Sequence, residues 1–154
     1  MLSDRAIRAR LHLNDGLIIS PFCERAIAHG RSYGLAAASY DVRLAQDIWL
    51  WPFWGRLGSI IEYLSFPADI SGEVKDKSSN ARKFILVQNT FIDPGWRGYL
   101  TVELTRLLPW PIKLRAGTPI AQIVFHQLDQ PSGHPYRGKY LNQKAAPQKA
   151  LVDE

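Results

Sequence analysis

Residues 92–105 read IDPGWRGYLTVELT and place a turn signal directly before a strand pattern. The triplet Asp93-Pro94-Gly95 favours a turn, because proline fixes its own φ angle and glycine tolerates positive φ. Apolar and polar residues then alternate from 99 to 105, which is the period of a β-strand. The apolar face of the predicted strand carries Leu100, Val102 and Leu104, and this face is expected to enter a core.

Short apolar or alternating runs of this kind recur along the chain, with turn signals between them. They cover residues 17–19, 48–51, 59–64, 84–87, 112–114 and 120–125. Ten prolines and eleven glycines punctuate the chain. Many short strands at short spacing predict a mainly β fold, namely a β-sandwich, jelly roll or barrel.

Residues 3–14 carry the convincing helix signals. Ser3 is a good N-cap, Asp4 suits the positive end of the helix dipole, and Gly16 favours termination. The sequence therefore predicts a short N-terminal helix ahead of the β-rich part.

Length and composition predict one folded domain over residues 1–154. The single cysteine, Cys23, excludes an internal disulfide and a CxxC zinc site. The first residues lack the apolar core of a signal peptide, and no apolar run approaches the ~18–20 residues that cross a bilayer. We therefore expect a cytoplasmic protein with no membrane partner.

The formal net charge of +5 favours anionic partners. The basic residues are scattered rather than gathered in a stripe, which argues against a nucleic-acid partner. Small phosphorylated ligands fit this charge pattern better.

The stretch DKSSNAR, residues 76–82, is either a solvated turn or an anion site. If Ser78 capped a short helical turn, the next three backbone N–H groups would be free to bind an anion. Lys77 would flank that site and Arg82 would project from the same side. Asp76 counts against phosphate binding.

Three other features leave alternatives open. Glu103 lies among hydroxyls on the polar face of the predicted strand, as a general base or as a solvated carboxylate. The aromatic run 49–54 favours core or subunit interface over a platform that stacks bases. The polar tail from residue 130 is either a disordered end or a segment that folds over an anionic ligand.

The order of these motifs resembles the dCTP deaminase branch of the dCTP deaminase/dUTPase superfamily. The resemblance covers most of the chain, and the ordered set is far more specific than any single motif. It rests on LSDR at 2–5, SYDVRL at 39–44, FPADI at 66–70, KSSNAR at 77–82, IDPGWRG at 92–98, LTVE at 100–103, LRAG at 114–117, IAQIVF at 120–125 and KYLNQ at 139–143.

The resemblance implies a distorted β-barrel or jelly-roll subunit of the dUTPase-like type that works as a homotrimer with active sites at subunit interfaces. The implied reaction is metal-free hydrolytic deamination of dCTP, or of a related cytosine deoxynucleotide, to dUTP and ammonia. This is hydrolysis of a C–N bond in a cyclic amidine. Mg²⁺ would be bound with the nucleoside triphosphate, and zinc would not be used.

The resemblance also implies residue roles. Glu103 would activate the attacking water, with Ser78 and Arg82 holding that water and stabilising the developing charge. The implied substrate-binding residues are Lys77, Ser79, Asp93, Thr101, Val102, Tyr136, Lys139 and Gln143. The last three belong to a C-terminal segment, residues 130–154, that would close over the nucleotide.

The chain departs from the family pattern at Asp76-Lys77, where the family has Gly-Arg, and between 82 and 93, where it is about two residues shorter. Two alternatives stay open. Asp93 could activate water in a dUTP pyrophosphatase or in a bifunctional enzyme. A catalytically inactive nucleotide-binding trimer is the other alternative.

Overall fold

A computed structural model describes residues 1–152 of the protein. The chain forms two helices, α1 (Asp4–Leu11) and α2 (Ser78–Ala81), and twelve strands within this range. Neither helix is long and apolar enough to cross a membrane. The strands are β1 (Ile18–Ser20), β2 (Arg25–Ala28), β3 (Arg31–Leu35), β4 (Tyr40–Arg43), β5 (Ile48–Leu50), β6 (Arg56–Ser65), β7 (Ile70–Asp76), β8 (Ile85–Val87), β9 (Phe91–Ile92), β10 (Arg97–Arg106), β11 (Ile112–Leu114) and β12 (Pro119–Gln127).

The strands form three antiparallel sheets. The largest has the order β2-β3-β4-β12-β7-β9, the second has the order β1-β6-β10-β8, and the smallest pairs β11 with β5. The prediction of a mainly β fold is confirmed. The sheets do not close into a barrel.

One cluster of buried side chains draws on all three sheets. Val102 of β10, Ile123 of β12 and Leu50 of β5 all belong to it, and Ile7 of α1 is fully buried against it. Burial of these side chains supplies the main driving force for folding. The site described below therefore rests on strands that are fixed by the core.

The predicted N-terminal helix is confirmed, with a different end. The Ser3 hydroxyl accepts a hydrogen bond from the Ala6 N–H at 3.4 Å, as expected for an N-cap. The helix ends at Leu11, three residues before the predicted end. The Leu2 N–H donates to the Phe125 carbonyl of β12 at 2.7 Å, so the start of the chain is tied to the largest sheet.

The alternation predicted for residues 99–105 is confirmed in β10 except at Thr101, which belongs to the predicted polar face but is buried. Val102 and Leu104 are buried, whereas Glu103 and Thr105 are only partly buried. The pairing of β10 with β6 shifts register between Tyr99 and Thr101. Such a bulge re-aims the neighbouring side chains, and it occurs two residues before Glu103.

The aromatic run at 49–54 is not core within this chain. Ile48 and Leu50 of β5 are buried. Four aromatic residues of the run are instead 50–74% exposed, namely Trp49, Trp51, Phe53 and Trp54. The expectation of core burial is therefore wrong for these four rings, because alternation along β5 and the following turn direct them outward. Their placement in a subunit interface stays a prediction.

Candidate active site

A cavity of about 450 Å³ opens beside β10. Its walls come from β6, from the β9 region with the turn that follows it, from β10, and from the C-terminal tail. The lining residues are Leu57, Thr90, Phe91, Ile92, Asp93, Trp96, Leu100, Thr101, Glu103, Tyr136, Tyr140, Gln143, Gln148 and Ala150. The cavity therefore combines an apolar floor with a few convergent polar groups, as small-molecule sites do.

Glu103 is an ionisable residue of this cavity. Its side chain is half-buried, and Oε2 is buried without a hydrogen-bond partner among the described residues. Burial raises the pKa of the Glu103 carboxyl above its usual value, because the charged form loses its hydration. The carboxyl is thus suited to exchanging a proton with a bound ligand.

Asp93 and Thr101 lie in the same cavity as Glu103. Asp93 begins the predicted turn, where Gly95 adopts a φ of +85°, and its carbonyl accepts from the Trp96 N–H at 3.1 Å. The Thr101 hydroxyl accepts from the Gln148 N–H at 3.0 Å. The Val102 side chain is 1% exposed in the core, so only its backbone is available to a ligand.

The C-terminal tail packs against β10 rather than forming a disordered end. The Tyr99 N–H donates to the Gln143 carbonyl at 3.0 Å, and the Asn142 N–H donates to the Arg97 carbonyl at 2.8 Å. At Gly98, with a φ of +144°, an added Cβ would lie 2.6 Å from the Gln143 nitrogen. A glycine is therefore required where the tail crosses the strand.

This tail brings Tyr136 and Gln143 into the cavity wall. Lys139 is exposed outside the lining, and its ammonium donates to the Leu151 carbonyl. Residues 153–154 of the predicted closing segment lie outside the described residues. The tail thus reaches its own chain's cavity with two of the three predicted side chains.

The turn at 76–82 differs from the predicted anion site. Helix α2 begins at Ser78 with Lys77 in the N-cap position, so the expectation that Ser78 caps the turn is wrong. The N–H groups of Asn80 and Ala81 both donate to the Lys77 carbonyl, at 2.8 and 2.9 Å. Two of the three N–H groups required by the predicted anion site are therefore used within the turn.

Several polar side chains of this turn have partners inside the fold. The buried Lys77 ammonium pairs with the buried Asp41 carboxylate. Burial raises the pKa of Asp41, and the hydrogen bond from Lys77 opposes that rise. The Asp76 carboxylate accepts from the Val87 N–H at 2.7 Å, and Asn80 donates to two carbonyls at the start of β12 at 3.0 Å each.

The remaining predicted site residues of the turn are not part of the cavity lining. Ser78 and Arg82 are exposed, while the Ser79 hydroxyl is buried without a partner among the described residues. None of the three lines the cavity of the same chain. The candidate residues therefore fall into two groups on one chain, one in the cavity and one on the turn.

Sequence reasoning missed several cavity residues. Leu57, Trp96, Tyr140 and Gln148 line the cavity without having been assigned a role. Trp96 lies inside the quoted stretch 92–105, and its indole N–H donates to the Tyr140 carbonyl at 2.8 Å. Gln148 follows no motif, and only the folded tail brings it to the cavity.

Comparisons with known proteins place this geometry in a family. The family model described as dCTP deaminase-like matches residues 55–128. A dCTP deaminase of Campylobacter fetus subsp. fetus is 30% identical over 175 aligned residues, covering 92% of this chain and 93% of the relative. A dUMP-forming dCTP deaminase of Kocuria rhizophila is 42% identical over 89 residues, covering 56% of this chain and 46% of the relative. The chain belongs to the dCTP deaminase-like family of the dCTP deaminase/dUTPase superfamily.

A solved structure supports the fold. A mutant dUTPase from phage phi11 of S. aureus, whose description reports coordination of a structural Mg(II) ion, superposes with a TM-score of 0.59. It is 16% identical, and the match covers 80% of this chain and 97% of the phage protein. The dUTPase-like fold expected from the sequence is confirmed.

Proposed function

We propose that this protein hydrolyses the exocyclic C–N bond of a cytosine deoxynucleotide, dCTP or a close relative, to give the uracil nucleotide and ammonia. One observation carries the proposal. The half-buried Glu103 lines the cavity with a raised pKa, and one of its carboxyl oxygens has no hydrogen-bond partner among residues 1–152. The identity of the curated relatives as dCTP deaminases agrees with it.

The chemistry requires a group that first accepts and then returns a proton. Glu103 takes a proton from a water as the water oxygen attacks C4 of the pyrimidine, and it then gives a proton to the amino group that leaves as ammonia. A carboxyl performs both steps best when its pKa is raised toward neutrality. Desolvation supplies that shift, and no cation among residues 1–152 acts on the Glu103 carboxyl to reverse it.

We further propose that a second subunit completes the site. Ser78 and Arg82 are exposed and lie outside the cavity of their own chain. Exposed residues of one subunit can reach a cavity of its neighbour in a symmetric homo-oligomer. In the homotrimer, Ser78 and Arg82 would hold the water and stabilise the charge that develops beside the partner's Glu103.

The nucleotide would lie along the polar part of the cavity. Asp93 and Thr101, which line the cavity, would contact the sugar and base, Val102 would contribute its backbone only, and Tyr136 and Gln143 would close the site.

Ser79, Lys77 and Lys139 remain the proposed phosphate contacts. A contact from Lys77 requires its ammonium to leave Asp41.

Mg²⁺ fits this donor set as a companion of the phosphates. Asp93 and Glu103 are the carboxylates of the cavity lining, and residues 1–152 contain no cluster of three or more metal-ligating side chains. Mg²⁺ ordinarily keeps several waters and binds through one or two carboxylates plus substrate phosphates. When bound, it would neutralise phosphate charge.

The direct test incubates the purified protein with Mg²⁺ and a panel of cytosine and uracil deoxynucleotides, and it identifies the products. We expect ammonia and dUTP from dCTP. No turnover of any cytosine nucleotide, despite tight binding, would overturn the deaminase proposal in favour of the inactive trimer.

Subunit mixing tests the shared site. Glu103→Gln and Arg82→Gln proteins are each expected to be nearly inactive. Random 1:1 mixing of their subunits restores both native residues in about one site in four if each site combines two chains. A mixture as inactive as its components would place both residues in one chain's site or in none.

The same cavity favours one second candidate. Asp93 lines it together with Glu103, and a dUTP pyrophosphatase would use Asp93 to activate water. Accumulation of dUMP from dUTP, lost in Asp93→Asn and retained in Glu103→Gln, would select that activity.

A further inference from the structure

A second cavity, of about 210 Å³, lies between the β2–β3 turn and β11. We call it the basic cleft. It shares no lining residue with the candidate active site. Ile112 and Leu114 give it an apolar wall, and the buried Thr118 also lines it.

The lining of the basic cleft is rich in nitrogen and contains no carboxylate. Four of its residues are His29, Arg31, Lys113 and Arg115. Asp47 pairs with Lys113 at 2.7 Å and is itself outside the lining. Of the two arginines in the lining, Arg31 has no acidic partner among residues 1–152, whereas Arg115 interacts electrostatically with Asp47 and helps to lower the pKa of that carboxyl.

Arg31 is the unusual member of this set. Among the described arginines that are at least partly buried, it alone has no hydrogen bond or ion pair from its side chain, whereas Arg43 pairs with Glu62 and Arg10 with Asp69. Burial lowers the pKa of the Arg31 guanidinium, and no charge from the described residues offsets that effect. A partly desolvated cation without a partner is costly in the empty protein, and a bound anion would remove that cost.

The backbone holds the cleft in shape from both sides. His29 and Gly30 have φ angles of 49° and 71°, and Ala28 pairs with Arg31, which defines a two-residue type I′ hairpin turn. The His29 Nε2 lies 3.1 Å from the Ala116 carbonyl, and the Ala116 N–H donates to Asp47 at 2.8 Å. Because these contacts are already made, little ordering would be required on binding.

We propose that the basic cleft binds a phosphate-bearing small anion, of the size of inorganic phosphate or a diphosphate, at a site separate from the active site. Planar guanidinium groups bind phosphate oxygens through paired hydrogen bonds. Arg31 supplies the partly desolvated donor, Arg115 the second donor, and Thr118 a hydroxyl at the base. The proposal does not depend on deaminase activity, because its readout is binding.

The test titrates inorganic pyrophosphate into the full-length protein by calorimetry. The variants are Arg31→Gln and Arg115→Gln, and the matched control is Arg5→Gln, which alters an exposed arginine of α1. Loss of one charge-assisted contact weakens binding by about tenfold or more. We expect that loss in both cleft variants and none in the control. Unchanged isotherms in both cleft variants would overturn the proposal.

Thermal unfolding gives a second readout that a merely structural role for Arg31 would not produce. In buffer free of polyvalent anions, Arg31→Gln is expected to melt at or above the wild-type temperature, because an uncompensated cation has been removed. Pyrophosphate should raise the wild-type melting temperature and raise that of Arg31→Gln less. Equal stabilisation of both proteins would contradict the proposal.

Two further probes distinguish the sources of the phosphate group. If a nucleoside diphosphate binds the cleft more tightly than pyrophosphate, and Arg115→Gln removes the difference, the ligand is a nucleotide. Equal affinities identify the phosphate group alone as the ligand. If Arg31→Gln does not fold, the exposed Arg115 carries the same comparison. The deamination assay, run in parallel, reports on the active site independently.

Discussion

Glu103 and the Lys77–Asp41 pair are two places where ionisable groups are shielded from water. They differ in whether an opposite charge compensates that burial. Lys77 and Asp41 are buried together and compensate each other. Glu103 is half-buried in a cavity wall, and within the part of the chain that the structure describes one of its oxygens has no hydrogen-bond partner and no cation opposes the effect of burial. A compensated pair fixes structure, whereas an uncompensated group remains available for chemistry.

The largest expected effect comes from replacing Glu103. Glu103→Gln keeps the volume of the side chain but removes proton transfer. We expect deamination to fall about 10²–10⁴-fold with little change in nucleotide affinity, since general acid–base catalysis contributes about that much. Steady-state rates and equilibrium nucleotide binding measure the two effects. A variant with wild-type turnover would remove Glu103 from the mechanism.

The same substitution should stabilise the fold at neutral pH. The pKa of Glu103 is higher in the folded chain than its ordinary value of 4.5, so folding favours the protonated form. Wild-type stability is then complete below that value and falls as pH rises through the folded-state pKa. We expect Glu103→Gln to melt above wild type near pH 7 and close to it near pH 4. Equal melting temperatures at both pH values would argue that burial does not strain the carboxyl.

The next largest effect is expected from breaking the Lys77–Asp41 ion pair. Lys77→Met leaves the Asp41 carboxylate buried without its partner. Removing one member of a buried pair costs about 3–5 kcal/mol, which chemical denaturation at neutral pH would measure. The double variant Asp41→Asn/Lys77→Met is the control, and it should recover much of the loss. A loss below about 1 kcal/mol in Lys77→Met would show that the pair contributes little.

Asp76→Ala should have the smallest effect, and on stability alone. It removes the acceptor of the Val87 N–H, a hydrogen bond of 2.7 Å between the end of β7 and β8. The expected loss is about 1–2 kcal/mol of unfolding free energy, since one hydrogen bond to a charged group is broken. Asp76→Asn retains an acceptor oxygen and serves as the control. A larger change in turnover than in stability would assign Asp76 a role at the active site.

Sequence reasoning reached the parts of the fold that local chemistry determines. The Ser3 cap, the turn at 93–95 and the alternation along β10 each depend on residues close together in the chain. It missed β7, whose sequence ISGEVKD contains a glycine and three charged residues. That strand is specified by its neighbours β12 and β9, and a Cβ at Gly72 would lie 2.8 Å from the Phe66 ring.

Residues of the candidate site were likewise predictable only where they belong to contiguous sequence motifs. Glu103 and Asp93 could be picked out because their motifs are contiguous, and both line the cavity. The partner of Lys77 could not, because Asp41 is 36 residues away and the pair is formed by tertiary structure. Gln148 reaches the cavity only through the path of the tail. The exposure of Arg82 away from its own chain's cavity is likewise a property of the assembled fold.

The place of β12 in the largest sheet has a consequence for how the protein is made. This strand lies between β4 and β7, and the carbonyl of its Phe125 holds the Leu2 N–H. A nascent chain on the ribosome therefore contains β4 and β7 well before the strand that joins them emerges. Until residues 119–127 have emerged, both strands expose unpaired edges, and such edges invite association with other chains. Synthesis through β12, rather than formation of any local hairpin, is the step that we expect to complete the sheet and end that exposure.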